Sequence, residues 1–390
     1  MTDDTTDDAA AHERAAYIHI PFCRRRCPYC DFAVVDASEQ RPETDRYVAT
    51  LLDEIAMEDA WDPLHAVNFG GGTPSAMTPD QLDSLMRAVS NRFGLEIGAE
   101  VSIEANPEDW TPSYAESLRE IGFNRVSLGV QSFDHDTLEA LGRNHTPTEG
   151  AEAVAVAQTA AFDTVNVDLI FGTPGESIES WSTTVRIAID LGIDHLSAYA
   201  LTVERGTVLS RQVRAGASAP HPDDQADKYE LLVEAAATAF RHYEVSNWAQ
   251  PGKECRYNRT TWAQGEYLAF GLGAHSHRDG VRRRNVRRLD VYLERVEAGA
   301  QPRAGSEHLT EWEREKERVF LGVRRRSGVE LGTAGAAFVG GDAGSRFIDA
   351  GIVRVEDGRL VVVDPLLTDA VAREVLSTEP DQRQPTDGPS

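Results

Sequence analysis

The chain has 390 residues, 41% of them hydrophobic, and 64 acidic against 39 basic side chains give a formal net charge of −25. That length suits one large domain with an appendage and a packed core, and the acidic balance argues against a nucleic-acid partner, since it repels a phosphate backbone. No apolar stretch is long enough to cross a bilayer, and the acidic N-terminus lacks the order of a signal peptide. The expectation is a cytoplasmic protein without stable membrane insertion, where reduced thiols favour metal or redox chemistry over disulfides.

Residues 1–14 read as a disordered acidic tail. From 15 to 245 short strand-like runs alternate with helix-period segments. The runs are 16–20, 66–69, 100–103, 125–130, 164–170 and 195–201, and helical periods cover 47–57, 79–92, 148–159 and 176–191. Six units in series predict an α/β fold with a parallel sheet and crossover helices. Glycine and polar residues collect at the C-terminal end of each run, which is where a barrel of this kind builds its site. Six units fall short of eight, so the expected architecture is an open, partial (β/α)6 TIM-like barrel. A helix is expected over 223–241. Residues 246–304 form a connecting segment that completes the site. From 305 to 377 a charged helix over 311–326, a hairpin over 352–363 turning at Asp357-Gly358 and a helix over 367–376 predict a small winged-helix-like α+β domain. Residues 378–390 read as disordered.

Three of the four cysteines, Cys23, Cys27 and Cys30, fall within eight positions just after the first run. Three thiolates hold three irons of a four-iron cluster and leave the fourth open to a small molecule. A structural zinc site needs a fourth ligand at matching spacing. Cys255 is distant and has no partner cysteine, and His19 lies inside the run, so a [4Fe-4S] cluster with one open iron is the reading. Gly70-Gly71-Gly72-Thr73-Pro74 is either a strand-to-helix turn or a place where backbone approaches an amino-acid headgroup. Glu104 suits a ribose or an ammonium group, or is an exposed carboxylate. Gln131, Arg143 and Asp168 cap or follow strands and together suggest a polar ligand shell. His275, in a glycine-rich loop, fits a satisfied turn and a functional role equally. Cys255 reads as an ordinary thiol, with metal or haem binding as its alternative. Arginine islands at Arg24, Arg25 and Arg26, at Arg282, Arg283, Arg284, Arg287 and Arg288, and at Arg324, Arg325 and Arg326 are solvated faces or contacts for an anionic cofactor, a propionate-bearing substrate or an acidic electron donor.

Six ordered motifs carry a resemblance. They are Tyr-Ile-His-Ile-Pro-Phe-Cys-x3-Cys-x-Tyr-Cys-Asp-Phe from Tyr17, Gly-Gly-Gly-Thr-Pro-Ser from Gly70, Glu-Ala-Asn-Pro from Glu104, Gly-Val-Gln-Ser-Phe from Gly129, Leu-Gly-Arg-x-His from Leu141 and Asp-Leu-Ile-x-Gly-x-Pro-Gly from Asp168. Together they resemble the radical S-adenosylmethionine (SAM) family of oxygen-independent coproporphyrinogen III oxidase-like proteins, over residues 15 to about 376, and most of all its haem chaperone (HemW-type) branch. The resemblance implies a radical SAM barrel whose cluster is held by Cys23, Cys27 and Cys30. It places Tyr17, Tyr29, Gly72, Thr73 and Glu104 around a first SAM, Gln131, Arg143, Asp168 and Ala200 at positions matching a second, and His275 beside them. Haem or a porphyrinogen, a haem-acceptor protein and a reduced electron donor such as a flavodoxin or ferredoxin are the implied partners. Two departures bear on function. The oxidase carries a further cysteine where this chain has Phe32, as the chaperone branch does; its absence favours haem transfer over oxidative decarboxylation of coproporphyrinogen III. The chaperone branch also carries His-Asn-x-x-Tyr-Trp, and here the stretch is Tyr257-Asn258-Arg259-Thr260-Thr261-Trp262. Tyr257, as a phenolate, and Cys255 become the haem-ligand candidates, with His275 as a further one.

Overall fold

The computed structural model describes residues 9–36 and 43–380. In chain order its strands are β1 (Arg14–Ile20), β2 (Phe22–Cys23), β3 (Val35–Asp36), β4 (Leu64–Gly71), β5 (Leu95–Ala105), β6 (Arg125–Gln131), β7 (Thr164–Phe171) and β8 (His195–Ala200). Then come β9 (Arg241–Glu244), β10 (Asn247–Ala249), β11 (Glu266–Phe270), β12 (His275–Arg278), β13 (Val281–Asn285), β14 (Arg303–His308), β15 (Val329–Glu330), β16 (Val353–Glu356) and β17 (Arg359–Val362). Twelve of them form one sheet in the order β14-β13-β12-β11-β1-β4-β5-β6-β7-β8-β10-β9.

The middle of that sheet is parallel. Ala16 pairs with Val67, Phe69 with Ile103, Leu128 with Val167 and Leu169 with Ala198. All six expected strands are present. The segment from 246 to 304 is more regular than expected: its strand β11 runs parallel to β1, with Ile18 opposite Phe270, and adds a seventh parallel strand in front of the first. β12, β13 and β14 extend that edge antiparallel. No sequential signal announces β11, because its partner lies some 250 residues earlier.

Local chemistry sets the helix ends. Thr78 accepts from the Gln81 amide and the Gln81 side chain returns the bond, with Pro79 at the first helical position; the helix Pro79–Phe93 ends at Gly94, whose φ is 77°. Thr146 with Glu149 and Thr310 with Glu313 repeat the device. The outer face of each parallel strand is apolar and sealed by these helices. Ala16, Ile18, Ile20, Val67, Phe69, Val101, Ile103, Val126, Leu128, Val165 and Val167 are all nearly inaccessible in one core. Strands covered on that face read as hydrophobic, as parallel sheets require.

A separate core sits at the C-terminal end, around Val319, Val329, Phe338, Val353, Leu360 and Val371. Its order is the helix Glu311–Gly322, β15, the helices Gly332–Gly340 and Asp342–Asp349, β16, β17 and the helix Thr368–Leu376, with the sheet ordered β15-β17-β16. The hairpin turns at Asp357 and Gly358, both at positive φ (50° and 77°), as the Asp-Gly signal predicts. This is the winged-helix-like arrangement expected. Three boundaries differ. Residues 10–14, assigned to the tail, are ordered: Ala10 is buried and Glu13 pairs with Arg256 at 2.8 Å. The helix expected over 223–241 stops at Ala236, because Arg241 opens β9. The helix expected over 311–326 stops at Gly322, because Arg326 donates its amide to Tyr243 across the molecule. Residues 1–8 and 381–390 of the expected tails lie outside the described residues. No helix among the described residues is long and apolar enough to cross a membrane.

Glu54 ties the added edge to the barrel. Its carboxyl accepts from the Gly271 amide (2.8 Å), Asn285 Nδ2 (2.7 Å) and the Tyr292 hydroxyl (2.6 Å), and burial pushes its pKa up to about 7. A carboxyl raised in the folded state and ordinary in the unfolded one favours folding fully below about pH 4.5, and that contribution is lost as pH rises to about 7. Urea unfolding of Glu54→Gln should therefore show a flatter stability profile than the parent between pH 5 and pH 8; an identical profile would show that Glu54 does not titrate there.

Candidate functional site

The inward face of the barrel differs from the outward face. Along β5 the inward residues are Ser102 and Glu104; along β6, Arg125, Ser127, Gly129 and Gln131; along β7, Asn166, Asp168 and Ile170; along β8, His195, Ser197 and Tyr199. These rows line a cavity of about 480 Å³ instead of packing as a hydrophobic core. The sequence does not single out Asn68, Asn258, Ser127, Ser197, Arg125 and His195. The signal for several was present: a polar residue at every second position of otherwise apolar strands.

Hydrogen bonds hold the polar rows in place. Ser127 Oγ donates to Asp168 Oδ2 (2.8 Å) and Asn166 Nδ2 to Asp168 Oδ1 (2.8 Å). His195 Nδ1 donates to Asn166 Oδ1 at 2.6 Å, and its Nε2 accepts from the Tyr243 hydroxyl at 2.9 Å. Burial holds His195 neutral, its pKa well below the usual value, and raises that of Asp168. Glu104 accepts the Gly71 amide at 3.1 Å; burial, then the Asp168 carboxyl, pushes its pKa up to about 7. Gln131 ends β6 with φ at 69°, a conformation uncommon outside glycine, at the site's rim.

All three clustered cysteines line one end of this cavity as free thiols, Cys23 on β2 and the others on the following loop. The loop is pinned at its base: Val35 donates to Pro21 O (2.8 Å), Gly72 to Ile20 O (2.8 Å) and Thr73 to Phe22 O (2.8 Å). His19 is not a competing ligand here. Its Nε2 donates to Ala33 O at 2.8 Å and its Nδ1 accepts from the Tyr17 hydroxyl at 3.2 Å. Arg143 points Nη1 at Cys27 Sγ (3.6 Å) and Nη2 at Asn106 Oδ1 (2.6 Å) and Gly129 O (2.8 Å), while its buried Nε has no partner among the described residues. Burial lifts Cys23 to about 11, so this thiol is protonated at neutral pH without metal, and loading displaces its proton. Three soft donors on one pinned loop, with a guanidinium against them to offset thiolate charge, fit an iron–sulfur cluster.

Cys255 stands at the cavity's other end, near Arg125, which opens β6 while Gln131 closes it. Its Sγ lies 3.5 Å from Glu100 Oε1, and burial pushes its pKa up to about 12. It is not a fourth ligand on the cysteine loop. Tyr29, Gly72, Thr73, Glu104, Gln131, Arg143, Asp168 and Ala200 share the cavity with the three cysteines. Tyr17, Tyr257 and His275 do not line it. Tyr17 and Tyr257 stack on each other, with ring centroids 5.9 Å apart and planes 28° apart, and burial raises both phenols well above their usual range. Burial, with the nearby Tyr267, Cys255 and Glu104, opposes the phenolate expected of Tyr257. His275 is exposed on β12 opposite Arg284.

The glycine run serves packing more than ligand approach. A Cβ on Gly70 would meet Glu104 Oε1 at 2.5 Å, and one on Gly72 would meet Pro21 O at 2.7 Å and Ile20 O at 2.8 Å. The side-chain positions are filled by protein, and only the backbone of Gly71 and Gly72 faces the cavity.

Fold and site define a class. A partial parallel barrel with three free cysteines beyond its first strand, at one end of a polar cavity, is the arrangement of radical SAM proteins, and residues 17–188 match the Radical SAM superfamily. That superfamily holds a [4Fe-4S] cluster and SAM. The chain is 40% identical over 368 residues to the heme chaperone HemW of Mycobacterium tuberculosis strain H37Rv, covering 92% of this chain and 94% of that one. It is 36% identical to the heme chaperone HemW of Lactococcus lactis, covering 81% and 82%. The chain belongs to the HemW family of radical SAM proteins. Coproporphyrinogen III oxidase (HemN) from Escherichia coli shares the fold, with a TM-score of 0.79 at 21% identity, covering 96% and 93%.

Gly72→Ala drives a methyl against two backbone carbonyls that cannot turn aside. It should lower stability by roughly 1–3 kcal/mol in urea unfolding, as overpacked sites do; an unchanged midpoint would show that β1 and β4 separate freely at this point.

Proposed function

We propose that the protein is a haem chaperone that binds haem and passes it to an acceptor protein, with a [4Fe-4S] cluster on Cys23, Cys27 and Cys30 and SAM bound beside it. The observation that carries this reading is the 40% identity to a heme chaperone along 92% of the chain. Phe32 supports it: where the oxidase resemblance calls for another thiol, this chain presents a phenyl ring that is 64% exposed.

When bound, the cluster supplies a low-potential electron and an open iron position for the amino-acid end of SAM. The residues around it do the rest. Arg143 offsets the thiolate charge beside Cys27 and ties that end of the cavity to Asn106. Gly71, Gly72 and Thr73 present backbone to the ligand. Glu104 becomes a carboxylate as pH passes about 7 and so favours a cationic ligand. For haem, Cys255 is the candidate ligand that faces the cavity, at the N-cap of the helix Arg256–Trp262, and Asn258 faces it from that helix.

Reconstituted anaerobically, Cys27→Ser should lose the visible thiolate–iron absorbance and fail to cleave SAM; retained cleavage would end the ligand assignment. SAM affinity of the parent should rise between pH 6 and pH 8, and Glu104→Gln should bind more weakly with a flat profile; a pH-independent parent would remove Glu104 as the counter-charge to cationic SAM. With dithionite, SAM and coproporphyrinogen III, the protein should form no protoporphyrinogen, while haem titration gives a Soret band that Cys255→Ala shifts and Tyr257→Phe leaves alone. Accumulating protoporphyrinogen would overturn the chaperone reading in favour of the oxidase.

A further inference from the structure

Arginines gather at one end of the β12–β13 ribbon although the chain as a whole carries −25. Arg284 and Arg287 are both exposed there. Arg282 pairs with Glu307 and Glu317, and Arg288 with Asp290. Arg284 has no acidic partner among the described residues, and its neighbour across the ribbon is His275.

This end of the ribbon abuts the cysteine loop. Arg287 Nη2 donates to Asp31 O at 2.8 Å. Within the loop Arg26 donates Nε and Nη2 to Cys30 O at 3.3 and 3.0 Å. Two exposed guanidiniums thus hold consecutive carbonyls of the loop, one on a cysteine and one on its neighbour. Phe32 is the next residue, and Arg25 adds a further exposed cation. The result is a surface on which the exposed Arg25, Arg26, Arg284 and Arg287 outnumber the exposed Asp31, with the exposed Phe32 ring next to Asp31 on the loop that carries Cys27 and Cys30. On a chain with 64 acidic residues, three exposed arginines (Arg26, Arg284 and Arg287) with no ion pair among the described residues, grouped around the cysteine loop, fit an acidic partner.

We infer that Arg26, Arg284 and Arg287, with Phe32, form the docking surface for an acidic one-electron carrier protein that reduces the cluster through the loop. The inference rests on the cluster assignment made above. The transfer balances simply. A carrier flavin in its anionic hydroquinone form, already protonated at N5, gives up one electron and becomes the neutral semiquinone with no proton transferred, and the oxidised cluster gains that electron.

Two readouts test it, with flavodoxin as the probe: the Kd of the complex by fluorescence anisotropy, which needs no activity, and the rate of cluster bleaching on mixing with flavodoxin hydroquinone. Both should weaken in the parent as salt rises from about 0.05 to about 0.3 M. Arg284→Glu with Arg287→Glu should weaken both by at least about tenfold, while Arg287→Lys, which keeps the charge and drops the guanidinium bond to the Asp31 carbonyl, stays near the parent. Dithionite should reduce Arg284→Glu as fast as the parent. Unchanged affinity in the double variant, or a parent indifferent to salt, overturns the docking surface. So does loss of haem binding with flavodoxin affinity intact, which would assign the arginines to haem carboxylates. If the double variant loses iron, Arg284→Glu alone decides, since its side chain makes no bond to the loop. A parent that dithionite itself cannot reduce refutes the cluster assignment and not the surface.

Discussion

A parallel barrel with polar inward rows must satisfy many buried donors and acceptors without filling the space between them. The chain meets this constraint by pairing neighbours across strands: Ser127, Asn166 and His195 converge on Asp168 and on one another, and Tyr243 caps the row. An unpaired polar group here costs on the order of 1–3 kcal/mol, so the network holds the cavity open by making each partner necessary to the next. The apolar outer faces, sealed under helices, supply the stability that a hollow interior does not.

The same arrangement separates two chemistries at the two ends of one cavity. At the loop end lie three thiols, an arginine and exposed glycine backbone, a setting for metal and a charged small molecule. At the other end Cys255 and Arg125 line the cavity, with the Glu100 carboxyl against both. Burial opposes ionisation at both ends, raising Cys23, Cys255 and Glu104 alike. Whatever binds must therefore bring charge that replaces lost water, and this makes occupancy sensitive to pH.

Close packing explains why the glycine run tolerates so little change. Gly70, Gly71 and Gly72 lie against Glu104, His19 and the Ile20–Pro21 backbone, and that contact fixes where the cysteine loop leaves β1. The loop is then tied by its own Arg26 and, from outside, by Arg287, on consecutive carbonyls. Rigidity at the site thus comes from backbone contacts to either side of it more than from the cysteines themselves.

By itself the sequence determined the strand–helix alternation, the cysteine spacing, the helix caps and the Asp357-Gly358 turn, because each is written within a few residues and governed by local sterics and hydrogen bonding. It also held the alternating polar rows of the barrel interior, though only a strand's pairing shows which way they face. Tertiary structure alone decided that β11 pairs with β1, that Tyr257 stacks on Tyr17 while Cys255 reaches the cavity, and that His275 lies outside among arginines. Those outcomes depend on contacts between segments some 240 residues apart or on a choice of helix face, and no short window of sequence carries that information.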